Sequence, residues 1–435
     1  MQFRYHIHAF FRPPSDVPID PEVRKHYKRN FIANTLDNAI WYVGDSFVSV
    51  TTILPVFASK MTDSAVMIGL VTALVNAGWF IPQFFLAGYV KNLKKKLPFA
   101  KKMAILERLP AMILPVTAIL LHWIPDRIVI WIFMIVIAMR GFSSGMVALP
   151  WQEVIAMVIP SSMRSRFFGI ARMLGTIGAV IGSTVSGIIL SAVAYPNNYA
   201  LSFIIGAIFI WISFFFFCRN IEPEINPEKE ENVPNKPLVD LKAYKNILNT
   251  DKNFRIYIFS RIFFQLGTMS AGFMAVYGIQ HFSLTDEYAA IFSGLLFTSS
   301  ILGNLIWSFL GDKIGPRNTL LFSTILQAFV LVLSLVAESI WVYYLVFLVY
   351  GIAQSGFIIG DLILGMELGS EEDRPLYLGL ARSIPGVFVL LAPIIGGVLV
   401  EWTGYWTMFL TSLVLFTISI VLILRVCEFK QLNIT

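Results

Sequence analysis

The sequence predicts an all-α integral membrane protein with twelve transmembrane helices in two pseudo-symmetric six-helix bundles. Three observations lead to this prediction. The chain of 435 residues is 57% hydrophobic and only 14% charged, against about 25% charged residues in an ordinary soluble domain. It contains twelve apolar runs, each near the length of about 20 residues that a membrane-spanning helix needs. Its second half also repeats features of its first. This composition excludes a soluble enzyme, a disordered chain, a disulfide scaffold and a nucleic-acid-binding protein.

The apolar runs form two groups of six, which we number as spans 1 to 12. The first group comprises residues 30–57, 66–90, 103–123, 128–159, 168–193 and 201–218, and the second comprises 254–282, 289–310, 319–337, 340–366, 377–400 and 405–424. We therefore divide the chain into a basic tail (1–29), a first bundle (30–218), a charged linker (219–253), a second bundle (254–426) and a short tail (427–435). The end of the linker, residues 241–253, has the pattern of a short amphipathic helix.

Basic residues in the connections predict which side of the membrane faces the cytoplasm. The loops after odd-numbered spans contain only Lys60 and Arg127 as basic residues. The loops after spans 2, 4, 8 and 10 contain Lys91, Lys94, Lys95, Lys96, Lys101, Lys102, Arg164, Arg166, Lys313, Arg317 and Arg374. Because Lys and Arg collect in cytoplasmic loops, we expect a multi-pass protein of the cytoplasmic membrane with both termini inside. Residues 1–29 lack the apolar core of a signal peptide, and Cys218 and Cys427 are expected to be reduced cytoplasmic thiols.

An internal repeat relates the two halves. The segments 164–172 (RSRFFGIAR) and 374–382 (RPLYLGLAR) share an Arg, a Gly and an Ala-Arg pair at a constant offset of 210. Near the start of each half, Asn30-Phe31 recurs as Asn253-Phe254 at an offset of 223. Ordered matches of this kind predict two related six-helix halves, which is the parallel repeat of secondary transporters.

The loop between spans 8 and 9 carries the most specific motif, SFLGDKIGPRN (308–318). It resembles the loop motif G-x-L-[AG]-D-[RK]-x-G-x-[RK] of the major facilitator superfamily, with Asp312, Lys313, Gly315 and Arg317 in register. The resemblance covers the chain after residue 29 and implies a secondary transporter that works by alternating access. The equivalent loop of the first half departs from the pattern, because Asn92 stands where the family has Asp.

The same resemblance implies a cytoplasmic gate. The loop Asp of the motif packs against a helix of the opposite half in this family, which would bring Asp312 to the start of span 5, near Arg172. We expect Lys313 and Arg317 to reach acids such as Glu367 at the end of span 10. Arg382 is the repeat equivalent of Arg172, and we assign both arginines to the gate rather than to the substrate site. Because Asn92 replaces Asp in the first-half loop, the gate should be asymmetric.

Glycine motifs in spans 5 and 11 favour export slightly. Residues 178–187 (GAVIGSTVSG) are similar to the G-x-x-x-G-P-x-x-G-G motif of proton antiporters, but Ser183 replaces Pro and Ser186 replaces one Gly. Span 11 keeps Pro393 and both following glycines. The partial match leans toward efflux, and uptake symport stays an alternative.

Polar side chains at membrane depth mark the candidate substrate and proton site, since an ionisable group there costs roughly 2.5–3.5 kcal/mol on insertion scales. Asp37, Asn38, Trp41 and Asp45 share one face of span 1. Arg140 lies near the middle of span 4 and needs an acidic partner, for which Asp45 is the first candidate and Asp37 the second. Asp37 is alternatively an ordinary acid at the cytoplasmic headgroups.

Spans 7 and 10 hold a corresponding polar set. Arg261, Gln265 and Thr268 share one face of span 7, and Gln354 and Asp361 lie in span 10. In the resembled family, spans 1, 4, 7 and 10 line the central cavity. The candidate substrate and proton cavity therefore comprises Asp37, Asn38, Trp41, Asp45, Arg140, Arg261, Gln265, Gln354 and Asp361. In span 3, Glu107-Arg108 is interpreted mainly as a structural pair.

The leading functional prediction is a secondary active transporter that moves a small solute, driven by a proton gradient. An uncoupled facilitator is the alternative within transport, and a membrane-embedded enzyme would need a convergent catalytic set that the sequence lacks. All five histidines fall in tails or at loop edges, and no nucleotide-binding motif occurs. We therefore expect no metal, no cofactor and no catalytic residues. The expected partners are a small-molecule substrate, protons and the lipid bilayer, with the chain acting as a monomer; the residues do not identify the substrate.

Overall fold

The computed structural model describes residues 21–91, 93, 95–223, 241–368 and 374–427. Within these residues all regular structure is helical. Spans 2 to 6 are the helices Ala65–Lys91, Leu97–Leu120, Asp126–Val158, Ser161–Ala192 and Asn197–Phe217, and spans 8 to 10 are Glu287–Ile314, Pro316–Val336 and Ile340–Glu367. The amphipathic segment of the linker forms the helix Leu241–Thr250, which confirms that prediction.

Spans 1 and 7 are each broken, at equivalent points of the two halves. Span 1 consists of the helices Pro21–Ser46 and Ile53–Ser59. Span 7 consists of Lys252–Gly267, a single 3₁₀ turn at Thr268–Ser270, and Met274–His281. The structure thus shows the repeat as a shared break in the first helix of each half.

Spans 11 and 12 meet in one nearly continuous element, Arg374–Ile423. Gly404 interrupts this element with a backbone φ of 86°, a conformation that residues with a Cβ atom rarely adopt. Ten helices of the described chain are long and apolar enough to cross a membrane. That number counts spans 11 and 12 together and leaves out the broken, polar span 1. Twelve spans in an all-helical membrane protein confirm the predicted fold class.

The repeated asparagines Asn30 and Asn253 have the same structural role. The Asn30 side-chain amide donates to the carbonyl of Ile221 and its oxygen accepts from the Ile221 N–H, both at 2.9 Å. Asn253 makes the same pair of bonds with Cys427, at 2.7 and 2.8 Å. Each asparagine therefore joins the first span of its half to the residues that follow the last span.

The two halves contact each other on the side of the loops that follow odd-numbered spans, which we call the closed side. Lys60 pairs with Asp286 at 2.6 Å, and Thr52 and Ser293 share a hydrogen bond between their hydroxyls. Ser64 donates to Glu401. Spans 2 and 11 and spans 5 and 8 form the packed seams between the halves.

The opposite side, where the described chain starts at residue 21 and ends at residue 427, is called the terminal side. Two contacts there join elements within one half: Arg29 donates to the Arg219 carbonyl, and Arg317 donates to the Ile423 carbonyl. A Cβ added at Gly169, near the terminal-side start of span 5, would meet no atom within 4 Å. The structure is therefore open toward the terminal side.

Candidate functional site

A cavity of about 760 Å³ lies between the halves. Its wall combines residues of spans 1, 5, 8 and 10, including Asp45, Arg172, Asn304, Gln354 and Ser355. Asp45 of span 1 and Gln354 of span 10 lie in this wall. The described residues of spans 4 and 7, which were also expected to line the cavity, do not contribute to it, and spans 5 and 8 take their place. We call this space the central cavity.

Asp45 and Arg140 form an ion pair at the wall of the central cavity. Arg140 Nη2 donates to Asp45 Oδ1, so the expected partner of the mid-membrane arginine is confirmed. The Arg140 side chain is 9% exposed and that of Asp45 is 22% exposed. Arg140 Nη1 is buried without a hydrogen-bond partner among the described residues, so the guanidinium keeps one donor available for a further group.

A second ion pair joins span 7 to span 10. Arg261 Nε lies 2.6 Å from Asp361 Oδ1, and the Tyr257 hydroxyl donates to the same carboxylate oxygen at 2.7 Å. The Arg261 guanidinium also lies over the Phe357 ring, 4.6 Å from its centre. The polar pattern placed Arg261 and Asp361 in the site without pairing them, and it missed Tyr257, a buried residue one turn before Arg261.

Asp37 belongs to a third charged group, with Glu107 and Arg108 of span 3. Arg108 Nη1 lies 2.8 Å from Glu107 Oε2, and Nη2 lies 3.6 Å from Asp37 Oδ1. All three side chains are less than 10% exposed. The interpretation of Asp37 as an interfacial headgroup acid is wrong, because helix packing buries it. Glu107 and Arg108 do form a pair, and Asp37 extends it into a triad.

The triad borders a second cavity of about 450 Å³ inside the first half, which we call the inner cavity. The wall consists of Asp37, Asn38, Trp41, Tyr42, Trp79, Ala104, Glu107, Arg108, Val147, Ala148, Trp151, Phe168, Arg172 and Phe217. Asn38 and Trp41 therefore line the inner cavity and not the central one. Sequence reasoning missed this space because its wall comes from six different spans.

Four of the predicted cavity residues lie outside the lining of both cavities: Arg140, Arg261, Gln265 and Asp361. Of these, Arg140 contacts the wall of the central cavity through its partner Asp45. Gln265 donates to the Thr268 hydroxyl at 3.0 Å, at the break of span 7. The structure therefore assembles the predicted set as two ion pairs, one triad and two cavities rather than as a single ring of polar groups.

The motif loop on the terminal side has the turn that its glycine predicts. Gly315 forms the turn between spans 8 and 9 with φ of 83°, a left-handed conformation that favours glycine at this motif position. Arg317 donates to the carbonyls of Ile423 and Leu424, where the end of span 12 lacks intrahelical donors. Arg317 thus ties the loop to the end of its own half, and a contact with Glu367 stays a prediction.

The remaining predicted gate residues are Lys313, Arg382, Arg172 and Asp312. Lys313 and Arg382 are exposed. Arg172 lies 5.7 Å from the centre of the Tyr42 ring and lines both cavities. The side chain of Asp312 lies outside the described residues, so its contact with span 5 stays a prediction.

The fold and the charged cavity between its halves define a membrane transporter. The sequence profile of the Major Facilitator Superfamily matches residues 46–297 and 257–431. The chain belongs to that superfamily.

Two relatives share sequence with the chain. An uncharacterized MFS-type transporter of Methanocaldococcus jannaschii is 26% identical over 296 residues, which is 66% of this chain and 70% of that protein. The uncharacterized MFS-type transporter YqjV of Bacillus subtilis is 25% identical over 140 residues, which is 32% of this chain and 34% of that protein.

Solved transporter structures share the fold. A point mutant of the nucleoside transporter NupG superimposes with a TM-score of 0.71 at 17% identity, covering 91% of this chain and 98% of that one. A D-xylose-proton symporter gives 0.68 at 14% identity, covering 92% and 98%. At such low sequence identities, the structural similarity shows a shared fold and nothing more about function.

Proposed function

We propose that the protein is a secondary active transporter that moves a small solute across the cytoplasmic membrane by alternating access, coupled to protons. The observation that carries this proposal is the Asp45–Arg140 pair at the wall of a cavity that lies between two helical halves and is closed on one side. Such a site exposes its charged groups to one aqueous space at a time.

The contacts of the closed side suit a seam that opens in each cycle. Lys60–Asp286, Thr52–Ser293 and Ser64–Glu401 join polar side chains. Polar contacts of this kind contribute about 0.5–1.5 kcal/mol each, because water replaces the lost partner when they break. The halves therefore separate on this side at a cost that a bound solute or proton can offset.

The difference between the two partners at the central cavity supports the proposed proton coupling. Arg140 keeps its charge at every physiological pH, whereas Asp45 loses its charge when it binds a proton. A proton on Asp45 releases Arg140, whose donors then turn to substrate or water. The pair therefore links proton binding to the contacts that the cavity offers.

The direction of transport is proposed from the sequence. The basic loops support a cytoplasmic terminal side, and with that orientation the proposal has the described state open to the cytoplasm. The partial antiporter motif of span 5 leans toward efflux. Structural neighbours include a nucleoside transporter and a D-xylose-proton symporter, whose cargoes differ too much in chemistry to select a substrate for this chain.

Transport into proteoliposomes tests the proposal. Wild-type protein should accumulate a member of a panel of nucleosides, sugars and organic ions only under a proton gradient, and a protonophore should abolish accumulation. Asp45→Asn should lose gradient-driven accumulation and keep exchange of solute across the membrane. Glu338→Gln, an exposed acid in the loop between spans 9 and 10, is the matched control.

Two outcomes would contradict the proposal. Gradient-driven accumulation by Asp45→Asn would remove that carboxylate from the coupling step. Wild-type flux that ignores the proton gradient would favour the uncoupled facilitator.

A further inference from the structure

The inner cavity has an aromatic wall. Trp41, Trp79 and Trp151 line it together with Tyr42 and Phe168. Its volume of about 450 Å³ falls within the range of sites that hold small molecules. The faces of aromatic rings carry negative potential and attract cations, with tryptophan the strongest. The wall therefore favours a flat or apolar ligand that carries positive charge.

An acidic group without a full set of partners borders this aromatic wall. Asp37 is 5% exposed, and its Oδ1 has no hydrogen-bond partner among the described residues. The nearest cation is Arg108, whose Nη2 lies 3.6 Å from this oxygen and donates to the Ser213 hydroxyl instead. The other guanidinium nitrogens donate to Glu107 and to the Ala104 and Ile210 carbonyls. A buried carboxylate oxygen without a donor is unfavourable, so a ligand that supplies an N–H group would complete the site.

The charge balance of the surrounding helices also favours a cation. Asp37, Asp45 and Glu107 bring three acidic groups into the first half, against the two arginines Arg108 and Arg140. A further arginine, Arg172, lies at the rim and is exposed to the open cavity. Water screens its charge there more than the interior screens the acids, so the interior of the cavity keeps its negative character.

We propose that the inner cavity binds an organic cation that carries an N–H donor on a flat aromatic body. The N–H group donates to Asp37 Oδ1, and the body lies among Trp41, Trp79 and Trp151. The ligand enters from the central cavity past Tyr42, Phe168 and Arg172, the three residues that line both cavities. The identity of the ligand as transported cargo rests on the proposed function, whereas its binding does not.

The proposal is tested by comparing the binding of two dyes that share a flat xanthene ring and carry opposite charges. An amino-bearing rhodamine methyl ester is a cation with N–H donors, and fluorescein is an anion without them. Binding of each dye to the purified full-length protein is measured by fluorescence anisotropy in detergent, against empty micelles. The cation should bind to the wild type with a measurable Kd, and fluorescein should not bind.

Variants assign the binding to the inner cavity. Asp37→Asn should raise the Kd of the rhodamine at least about tenfold, because a charge-assisted hydrogen bond is lost. Trp79→Leu should raise it severalfold and provides a second test if Asp37→Asn does not elute as a folded protein. Arg172→Gln should lower the Kd, because a positive charge is removed from the rim that a cation passes, and Glu338→Gln should leave it unchanged.

Three results would overturn the proposal. The first is a rhodamine Kd that is the same in the wild type, Asp37→Asn and Trp79→Leu. The second is fluorescein binding that depends on Arg172, which would make the cavity an anion site. The third is a wild type that binds neither dye. Because these measurements use no proton gradient, failure of coupling in proteoliposomes leaves them unaffected, and failure of dye binding leaves the Asp45 test unaffected.

Discussion

Replacing Gly397 with alanine should shift the protein away from the state that is open on the terminal side. Gly397 lies in span 11 on the closed side, against the start of span 2 in the other half. A Cβ at this position would lie 2.6 Å from Val66 Cα and 2.7 Å from the Ala65 carbonyl oxygen. Both atoms belong to the backbone, so no side-chain rotation relieves the overlap.

The size of the shift follows from the geometry. Carbon atoms in optimal contact are about 3.5–4.0 Å apart, so the halves must separate by about 1 Å along this seam to accept the new methyl group. Overpacking of this kind costs typically about 1–3 kcal/mol. Because the contact exists only while the closed side is shut, this free energy acts on one state alone. The ratio of the two open states should change by about 5- to 150-fold.

Spin-label distances on both sides of the membrane measure the shift, in a background without the two native cysteines. Labels at Trp123 and Trp341, which are exposed on the closed side in opposite halves, should move apart in Gly397→Ala. Labels at Met173 and Phe309, both exposed in spans 5 and 8, should approach each other. Opposite changes on the two sides distinguish a change of state from a general loosening.

Two glycines provide controls for this experiment. Gly386 lies in the same long helix, and a Cβ there would meet nothing within 4 Å, so Gly386→Ala should change neither distance. A Cβ at Gly141 would lie 2.5 Å from the Leu74 carbonyl oxygen inside the first half, so Gly141→Ala should lower thermal stability without selecting a state. If Gly397→Ala gave the distances of Gly386→Ala, the packing of spans 2 and 11 would not govern closure and the reasoning would be refuted.

Three further predictions concern polar groups. Arg140→Lys should lose most gradient-driven transport in proteoliposomes, because an ammonium does not reproduce the guanidinium's second donor; wild-type rates would reduce Arg140 to a generic positive charge. Lys60→Gln and Asp286→Asn should each raise the accessibility of cysteine probes on the closed side. The double variant should show little further increase, because each single variant already removes the same ion pair. Additive effects would show that the two side chains act separately. Asn253→Ala should lower the free energy of unfolding by about 1–3 kcal/mol, because two hydrogen bonds are lost. Thermal denaturation measures this loss against the control Asn249→Ala, which lies in the exposed linker helix. If the two variants were equally stable, Asn253 would not join the first and last spans of its half.

The sequence predicted the architecture because apolar length and charge are local properties. Each span needs only its own residues to be recognised, and the offset of 223 correctly related Asn30 to Asn253. It did not reveal what the two asparagines do, since their partners Ile221 and Cys427 lie far along the chain. That role depends on where the last span of each half ends in space.

The candidate site was predicted only in part, because residue patterns identify single polar groups within a span but not which groups of different spans meet. Asp45 and Arg140 were paired correctly because few ionisable groups lie so deep in the first half. Arg261 and Asp361 were both selected and not paired, because residue patterns carry no distance between spans 7 and 10. The inner cavity escaped prediction entirely, since Trp79 looks like any apolar residue of its span until helix packing brings it to the same cavity as Asp37.

The two halves share a fold but not a charge pattern. By the repeat offset, Arg261 corresponds to Asn38 and Thr268 corresponds to Asp45. In the repeat, Arg261 therefore lies one residue after the equivalent of Asp37, and Thr268 of the described second half takes the place of Asp45 without an ionisable group.

The first half thus carries two layers of buried charge, with one acid more than its arginines balance, whereas the Arg261–Asp361 pair is balanced. An uncompensated charge away from water is strongly unfavourable, so binding of a proton or a cation would stabilise the buried groups of the first half, whereas the Arg261–Asp361 pair is already balanced. We therefore assign the proposed proton coupling to spans 1, 3 and 4, and we propose that the second half supplies the surface against which the first half opens and closes. Neutralising Asp361 and Arg261 together should therefore preserve the dependence of transport on the proton gradient, whereas neutralising Asp45 should abolish it.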